Sequence, residues 1–64
     1  MELKVGMTFR NLEKTKCVVV NIFNDGPYEV VTYKYWVRRK RQWIFKTDYT
    51  HLFLIAFEYG WKWQ

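Results

Sequence analysis

The chain has 64 residues, a formal net charge of +5 and an aromatic content of 22%. This length allows one domain at most, which we take to be residues 1–64, and so many aromatic and β-branched residues exclude an intrinsically disordered chain. The basic balance favours an anionic partner, such as a nucleic acid, an acidic protein surface or an anionic membrane.

The cysteine content and the hydropathy of the chain indicate the cellular compartment in which the protein is found. Cys17 is the only cysteine, so an intramolecular disulfide is excluded, whereas small secreted domains usually need several. The longest apolar stretch, Leu52–Phe57, is far too short to span a membrane, and the N-terminus has no signal-peptide pattern. We therefore expect a cytoplasmic protein that does not associate with membranes.

The N-terminal part of the chain predicts two strands. Val5–Arg10 is predicted to form a turn and a short first strand, and the polar segment Asn11–Lys16 a loop. Cys17–Phe23 is rich in β-branched residues and strongly favours a strand. From alternation here and periodicity further on, we expect a core that contains Val18, Val20, Ile22, Ile44 and Leu52.

The middle of the chain predicts two hairpins. Asn24–Pro27 is the clearest turn, because Asp-Gly tolerates positive φ and proline cannot donate to a ladder. A long strand, Tyr28–Val37, follows, and then Arg38–Arg41 and the strand Gln42–Lys46. Four cationic residues in a row are most easily placed at a hairpin tip, where water screens them.

The C-terminal part predicts a short helix and a last strand. Thr47 or Asp48 would cap about two helical turns ending near Ala56, although the same segment also fits a fully buried strand. Beyond it, aromatic residues alternate strictly with other residues, which indicates a final strand with one aromatic face. That face consists of Phe57, Tyr59, Trp61 and Trp63.

This order of elements predicts a mainly β fold. Five short strands with one helical turn before the last strand are the layout of an SH3-like small barrel, and closing the sheet on itself would hide its edges.

The sequence also resembles the short SH3-like proteins encoded by bacteriophages and prophages. The resemblance lies in the layout of Val5–Arg10, the valine-rich strand Cys17–Phe23, the basic hairpin around Trp43 and the aromatic helical turn that follows. It implies the small barrel and a location in the cytoplasm of the host cell. Several such proteins bind nucleic acid and others block a host protein, so the fold alone does not choose between these functions. The aromatic C-terminal strand departs from the general pattern.

Enzymatic and metal chemistry is poorly supported. The chain has no serine, and His51 is its only histidine. A nucleophilic pair would need Cys17 and His51 to meet, together with a group that orients the base. Two soft ligands cannot fill a four-coordinate zinc site, and the three glycines are scattered rather than gathered in a phosphate loop. We therefore expect that the protein is not an enzyme and binds neither a metal ion nor a cofactor.

The basic run is the sharpest candidate for a binding site. Arginine binds phosphate bidentately and stacks on rings, so the run would contact phosphates while neighbouring aromatic residues stack on bases. The alternative is a solvated tip that keeps an aromatic domain soluble. The candidate binding residues are Arg38, Arg39, Lys40, Arg41, Trp36, Trp43 and Tyr35.

A second candidate surface lies at the C-terminal end. Tyr59, Trp61 and Trp63 are either the inner face of the closing strand or an exposed patch that contacts a partner or a second copy of the chain. Two functions therefore stay open: a phage-type nucleic-acid-binding module, which we favour, and an inhibitor that binds a host defence or transcription protein through the same arginines and tryptophans.

Overall fold

The computed structural model describes residues 2–13 and 15–60. Five strands and one helix follow one another in these ranges. The elements are β1 (Thr8–Arg10), β2 (Lys16–Asp25), β3 (Tyr28–Val37), β4 (Gln42–Tyr49), α1 (Thr50–Ala56) and β5 (Glu58–Tyr59). The prediction of a mainly β fold with one short helix before the last strand is confirmed.

The strands form a single antiparallel sheet in the order β4-β3-β2-β1-β5. No ladder joins β4 to β5 among the described residues, so the sheet is open and these two strands are its edges. The predicted closure into a barrel is therefore not seen. The long β2–β3–β4 meander supplies most of the sheet, and this meander positions the candidate site.

A β-bulge in β2 determines which residues face the core. The register between β2 and β3 shifts between Val19 and Asn21, so the extra residue, Val20, reverses the phase of the alternation. Cys17 and Val19 are fully buried ahead of the bulge, and Ile22 packs against the core beyond it.

The core is consequently different from the predicted one. It lies on the inner face of the sheet, beneath α1, and contains Leu3, Phe9, Cys17, Val19, Val31, Tyr33 and Phe53. Of the five predicted core residues, only Ile22 packs against this cluster. Val18, Val20 and Ile44 are half-buried and Leu52 is exposed, so the prediction was wrong for these four.

The helix confirms the predicted type of element, although Leu52, the core residue predicted on it, is exposed. Thr50 and Phe53 are its buried residues, and Leu54 packs against the core. This spacing places one stripe of the helix against the sheet. The predicted caps were also wrong: Tyr49 is the N-cap, without a side-chain hydrogen bond, and the Asp48 carboxylate instead accepts the N–H of Tyr49 at 2.8 Å.

Two further features complete the fold. The tight turn at Gly26-Pro27 joins β2 to β3, and the positive φ of Gly26, 63°, fits the first central position of a type II′ hairpin turn. The last strand has only two described residues, and Tyr59 pairs with Phe9 of β1.

Within residues 2–13 and 15–60, no helix is long and apolar enough to cross a membrane.

Candidate functional site

The basic tip, Arg38–Arg41, forms the turn between β3 and β4, as predicted. The ladder closes at Val37 opposite Gln42, and all four intervening side chains are exposed. Two backbone hydrogen bonds shape the turn: Lys40 N–H donates to Val37 O at 3.2 Å, and Arg41 N–H donates to Arg38 O at 3.3 Å. The tip is therefore an ordered turn that displays four adjacent cations.

Arg41 holds an unusual backbone conformation. Its φ is 50°, the left-handed region, and no other described residue except glycine has a positive φ. A residue with a Cβ, other than asparagine or aspartate, destabilises the folded chain there by about 1–2 kcal/mol. Backbone strain of this kind clusters at functional sites, so the conformation of Arg41 favours a functional role for its side chain.

Among residues 2–13 and 15–60, no carboxylate forms an ion pair with a cation of the basic tip. An ion pair instead joins Arg10 and Glu58, 3.6 Å apart, on β1 and β5. Both of these side chains are well exposed, so that pair contributes little stability. The tip thus projects positive charge that no described carboxylate offsets.

An aromatic pair lies directly beneath the tip. Trp36 of β3 is opposite Trp43 of β4, and their rings meet edge to face with centroids 5.4 Å apart. Trp36 is 44% exposed and Trp43 is 39% exposed. The Lys34 ammonium lies 4.6 Å from the centroid of the Trp43 ring, a cation–π contact. The structure therefore brings both predicted tryptophans together on one surface, next to the basic tip.

These side chains belong to a larger surface. Residues directly opposite one another in an antiparallel ladder point to the same face, and the ladder registers extend the Trp36 face along the whole β2–β3–β4 meander. Each of its six large aromatic side chains is at least 39% exposed. We call this surface the outer aromatic face; its rings and cation are Phe23, Tyr28, Lys34, Trp36, Trp43, Phe45 and Tyr49, with Thr32 and Thr47 between the rings and buried Val30 between Phe23 and Tyr49.

The end of the outer aromatic face distant from the tip is a second cluster of rings. Tyr28 and Tyr49 lie 5.4 Å apart between centroids, and the His51 ring stacks on Tyr49 at 5.8 Å. Midway along the face, the Thr32 and Thr47 hydroxyls are hydrogen-bonded at 3.2 Å. The face thus offers rings at both ends and hydroxyl groups between them.

Tyr35 does not join this surface. It lies opposite Cys17 and Ile44 on the inner face, where it packs against the core. The Lys46 ammonium lies 5.9 Å from the centroid of its ring. The structure therefore separates Tyr35 from the two tryptophans with which it was grouped.

The second predicted surface is only partly described. The Tyr59 ring packs on buried Phe9 with centroids 5.4 Å apart, although Tyr59 remains 53% exposed. Trp61 and Trp63 lie outside the described residues, so the prediction of a C-terminal interface remains a prediction.

Cys17 and His51 lie in different surroundings. Cys17 is fully buried, and desolvation raises the pKa of its thiol to about 11 despite a backbone hydrogen bond from Phe9 that lowers it. His51 is exposed on the helix beside Tyr49. Among the described residues no three His, Cys, Asp or Glu side chains gather as a metal site would require.

Sequence reasoning missed five side chains of the outer aromatic face, which are Phe23, Tyr28, Lys34, Phe45 and Tyr49. Tyr49 was not expected on a strand, because β4 was predicted to end at Lys46, whereas it continues to Tyr49. The signal was present in the sequence: Trp43, Phe45 and Tyr49 occur at even spacing from one another, and such residues share one face of a strand.

Comparison with known proteins gives no family for this chain. No protein-family model matches it, and neither a curated protein nor a solved structure shows significant similarity to it.

Proposed function

We propose that this protein is a non-enzymatic module that binds nucleic acid through the basic tip and the adjoining tryptophans. The observation that carries the proposal is the adjacency of four exposed cations and the exposed Trp36–Trp43 pair on one hairpin. Proteins that bind single-stranded nucleic acid combine cations that contact phosphates with rings that stack on bases.

The charge supports an anionic ligand of this kind. The tip contributes four of the chain's 11 Lys and Arg residues in one turn, and three of the four are arginines, whose planar fork matches phosphate oxygens. The Lys34 ammonium adds a cation over the Trp43 ring. An anionic ligand that contacts the tip would thus meet positive charge on the aromatic surface as well.

The finer fold assignment is part of the same proposal. The chain has four consecutive strands, then a short helix and a fifth strand, which is the element order of an SH3-like small barrel. Unlike a closed barrel, its sheet is open between β4 and β5. We propose that the chain is a phage-type member of that class and acts in the cytoplasm of a host cell. The support is the shared layout of strands, basic hairpin and helix.

A second function, inhibition of a host protein, is favoured by the composition of the same surface. Tryptophan and arginine are the residues most enriched in protein hot spots, and the outer aromatic face presents two exposed tryptophans beside three arginines. An acidic protein surface would satisfy the charge of the tip equally well. Recovery of partners from a host lysate, with and without nuclease, separates the two functions, since a partner protein retained after nuclease treatment supports inhibition.

The salt dependence of binding tests the nucleic-acid function directly. Four phosphate contacts predict a slope of log K against log salt of about −3 to −4 for a duplex. Arg39→Glu should weaken binding strongly without unfolding the domain, because the tip lies outside the core. Lys4→Glu is the matched control: it lowers the net charge by the same amount, and Lys4 is exposed in the N-terminal segment, outside the β3–β4 hairpin that carries the tip.

The same binding titrations can also contradict the proposed nucleic-acid function. Absence of binding to single- and double-stranded DNA and RNA at low salt would contradict the nucleic-acid function. Equal weakening by Arg39→Glu and Lys4→Glu would show that net charge alone, rather than the tip, attracts the ligand.

A further inference from the structure

The outer aromatic face contains a row of three rings along β4. Trp43, Phe45 and Tyr49 point to this face and are 39%, 61% and 41% exposed. Side chains two residues apart on a strand are about 6.7 Å apart. Trp43 and Phe45 therefore lie one such step apart, and Thr47 occupies the next position before Tyr49.

This spacing does not match a duplex. Bases in a duplex are stacked about 3.4 Å apart along each strand, so their faces are covered by neighbouring bases. A protein ring can stack on a base only when that base is separated from its neighbour. Rings about 6.7 Å apart can each take a base from an extended single strand.

The charges along the row fit the backbone of such a strand. Lys34 lies opposite Phe45 in the ladder, and its ammonium is over the Trp43 ring. One cation thus lies beside the first two rings, and the basic tip lies just beyond Trp43. Phosphates that follow the bases along β4 would meet Lys34 and then the tip.

Hydrogen-bonding groups lie at the position where the row lacks a ring. The paired hydroxyls of Thr32 and Thr47 are exposed between Phe45 and Tyr49. Hydroxyl groups donate and accept hydrogen bonds with any base edge. This position would tolerate every base, as stacking itself does.

We infer that the nucleic acid taken by this surface is a single strand of DNA or RNA, with bases stacked on Trp43, Phe45 and Tyr49 and phosphates on Lys34 and the basic tip. This inference rests on the proposed nucleic-acid function and specifies its ligand. Phe45 is the decisive platform, because it is the most exposed of the three rings and no ring contact covers it among the described residues.

The test compares a labelled oligothymidylate, the equivalent oligouridylate and a DNA duplex of equal length at low salt. Fluorescence anisotropy should show at least about tenfold tighter binding of a single strand than of the duplex. Phe45→Leu, which keeps an apolar side chain but removes the ring, should weaken single-strand binding by about 5- to 150-fold, the loss expected for one stacked base. Phe45→Trp should retain or tighten binding.

Ile55→Ala is the matched control, because Ile55 is an apolar side chain 82% exposed on α1, outside the outer aromatic face. It should leave affinity unchanged. The wild-type protein supplies a second readout, since a base stacked on Trp43 should quench tryptophan emission as the oligonucleotide binds.

Each outcome has a distinct meaning. Equal affinity for single strand and duplex, or single-strand binding with no quenching and no loss in Phe45→Leu, overturns the inference but leaves the basic tip as a nucleic-acid site. No binding of any oligonucleotide overturns the proposed function itself. Preference for oligouridylate or for oligothymidylate assigns the ligand to RNA or DNA within the inference.

Discussion

Trp36 and Trp43 form a directly opposed cross-strand pair at the end of the β3–β4 hairpin, with ring centroids 5.4 Å apart and planes inclined by 69°. Edge-to-face packing of this kind stabilises a hairpin by about 0.5–1.5 kcal/mol beyond simple burial. Both rings nevertheless keep much of their surface in solvent. The pair therefore stabilises the hairpin that displays the basic tip and also offers surface to a ligand.

The first prediction concerns Trp43. Because its ring is 39% exposed, Trp43→Ala should lower the free energy of unfolding by about 1–2 kcal/mol, less than the ~3–5 kcal/mol of a core aromatic residue. Binding of a single strand should weaken by about 1–3 kcal/mol. Urea denaturation and anisotropy measure the two effects, and a double-mutant cycle with Trp36→Ala isolates the pair. A core-sized loss of stability would contradict a surface position.

The second prediction concerns Arg41. Arg41→Gly relieves the positive φ of 50° and should raise the free energy of unfolding by up to about 1 kcal/mol, the cost of the left-handed conformation less the extra entropy of glycine when unfolded. Nucleic-acid affinity should fall, and the salt slope should decrease by about 1. Arg39→Gly is the matched control: it loses the same charge at a residue without positive φ, so it should not gain stability.

The element types and the basic hairpin were predictable because they rest on local signals. The turn at Gly26-Pro27, the cations of Arg38–Arg41 and the helical spacing before Phe57 each depend on a few consecutive residues. The bulge at Val20 does not: it appears only when β2 pairs with β3. Simple alternation therefore placed Val18 and Val20 in the core, where Cys17 and Val19 actually lie.

The candidate site was half predictable for the same reason. Trp36, Trp43 and the tip are close in sequence, so a hairpin brings them together. Tyr35 was grouped with them by proximity in sequence, although adjacent strand residues point to opposite faces. The distant end of the outer aromatic face, where Tyr28 meets Tyr49, depends on the registers of the ladders, which no local pattern specifies.

The third prediction concerns the core. Phe9 is fully buried, and its ring packs edge to face on Phe53 with centroids 4.9 Å apart. Phe9→Ala should cost about 3–5 kcal/mol, a large part of the ~3–10 kcal/mol expected for a domain of this size. Leu12→Ala, at a residue 100% exposed, should leave thermal unfolding nearly unchanged. Similar melting temperatures for the two variants would contradict the core described here.

The fourth prediction concerns the β2–β3 turn. Gly26 has a φ of 63°, and a Cβ added there would meet no atom within 4 Å. Gly26→Ala should therefore destabilise by backbone strain alone, about 1–2 kcal/mol, measured by urea denaturation. Gly26→Asn should lose less, because asparagine tolerates the left-handed region. An alanine variant as stable as the wild type would rule out the positive φ.

The fifth prediction concerns the pH dependence conferred by Cys17. Burial raises the pKa of the thiol from 9.0 to about 11 in the folded chain, so the folded state keeps its proton at pH values where the unfolded state has lost it. The resulting stability is fully present below about pH 9 and is lost as the pH rises towards 11. Burial also raises the pKa of Tyr33, which acts in the same direction.

Urea denaturation of the wild type and of Cys17→Ala across this alkaline range isolates the thiol. The variant starts from a lower stability, because it leaves a small cavity, but its stability should fall less steeply with pH, since the thiol no longer contributes. A thiol-specific reagent at neutral pH provides the companion measurement: modification should be slow in the folded protein and fast in urea, because the reactive thiolate is scarce and covered. Equal pH slopes for the two proteins, or rapid modification of the folded one, would contradict a buried, protonated Cys17.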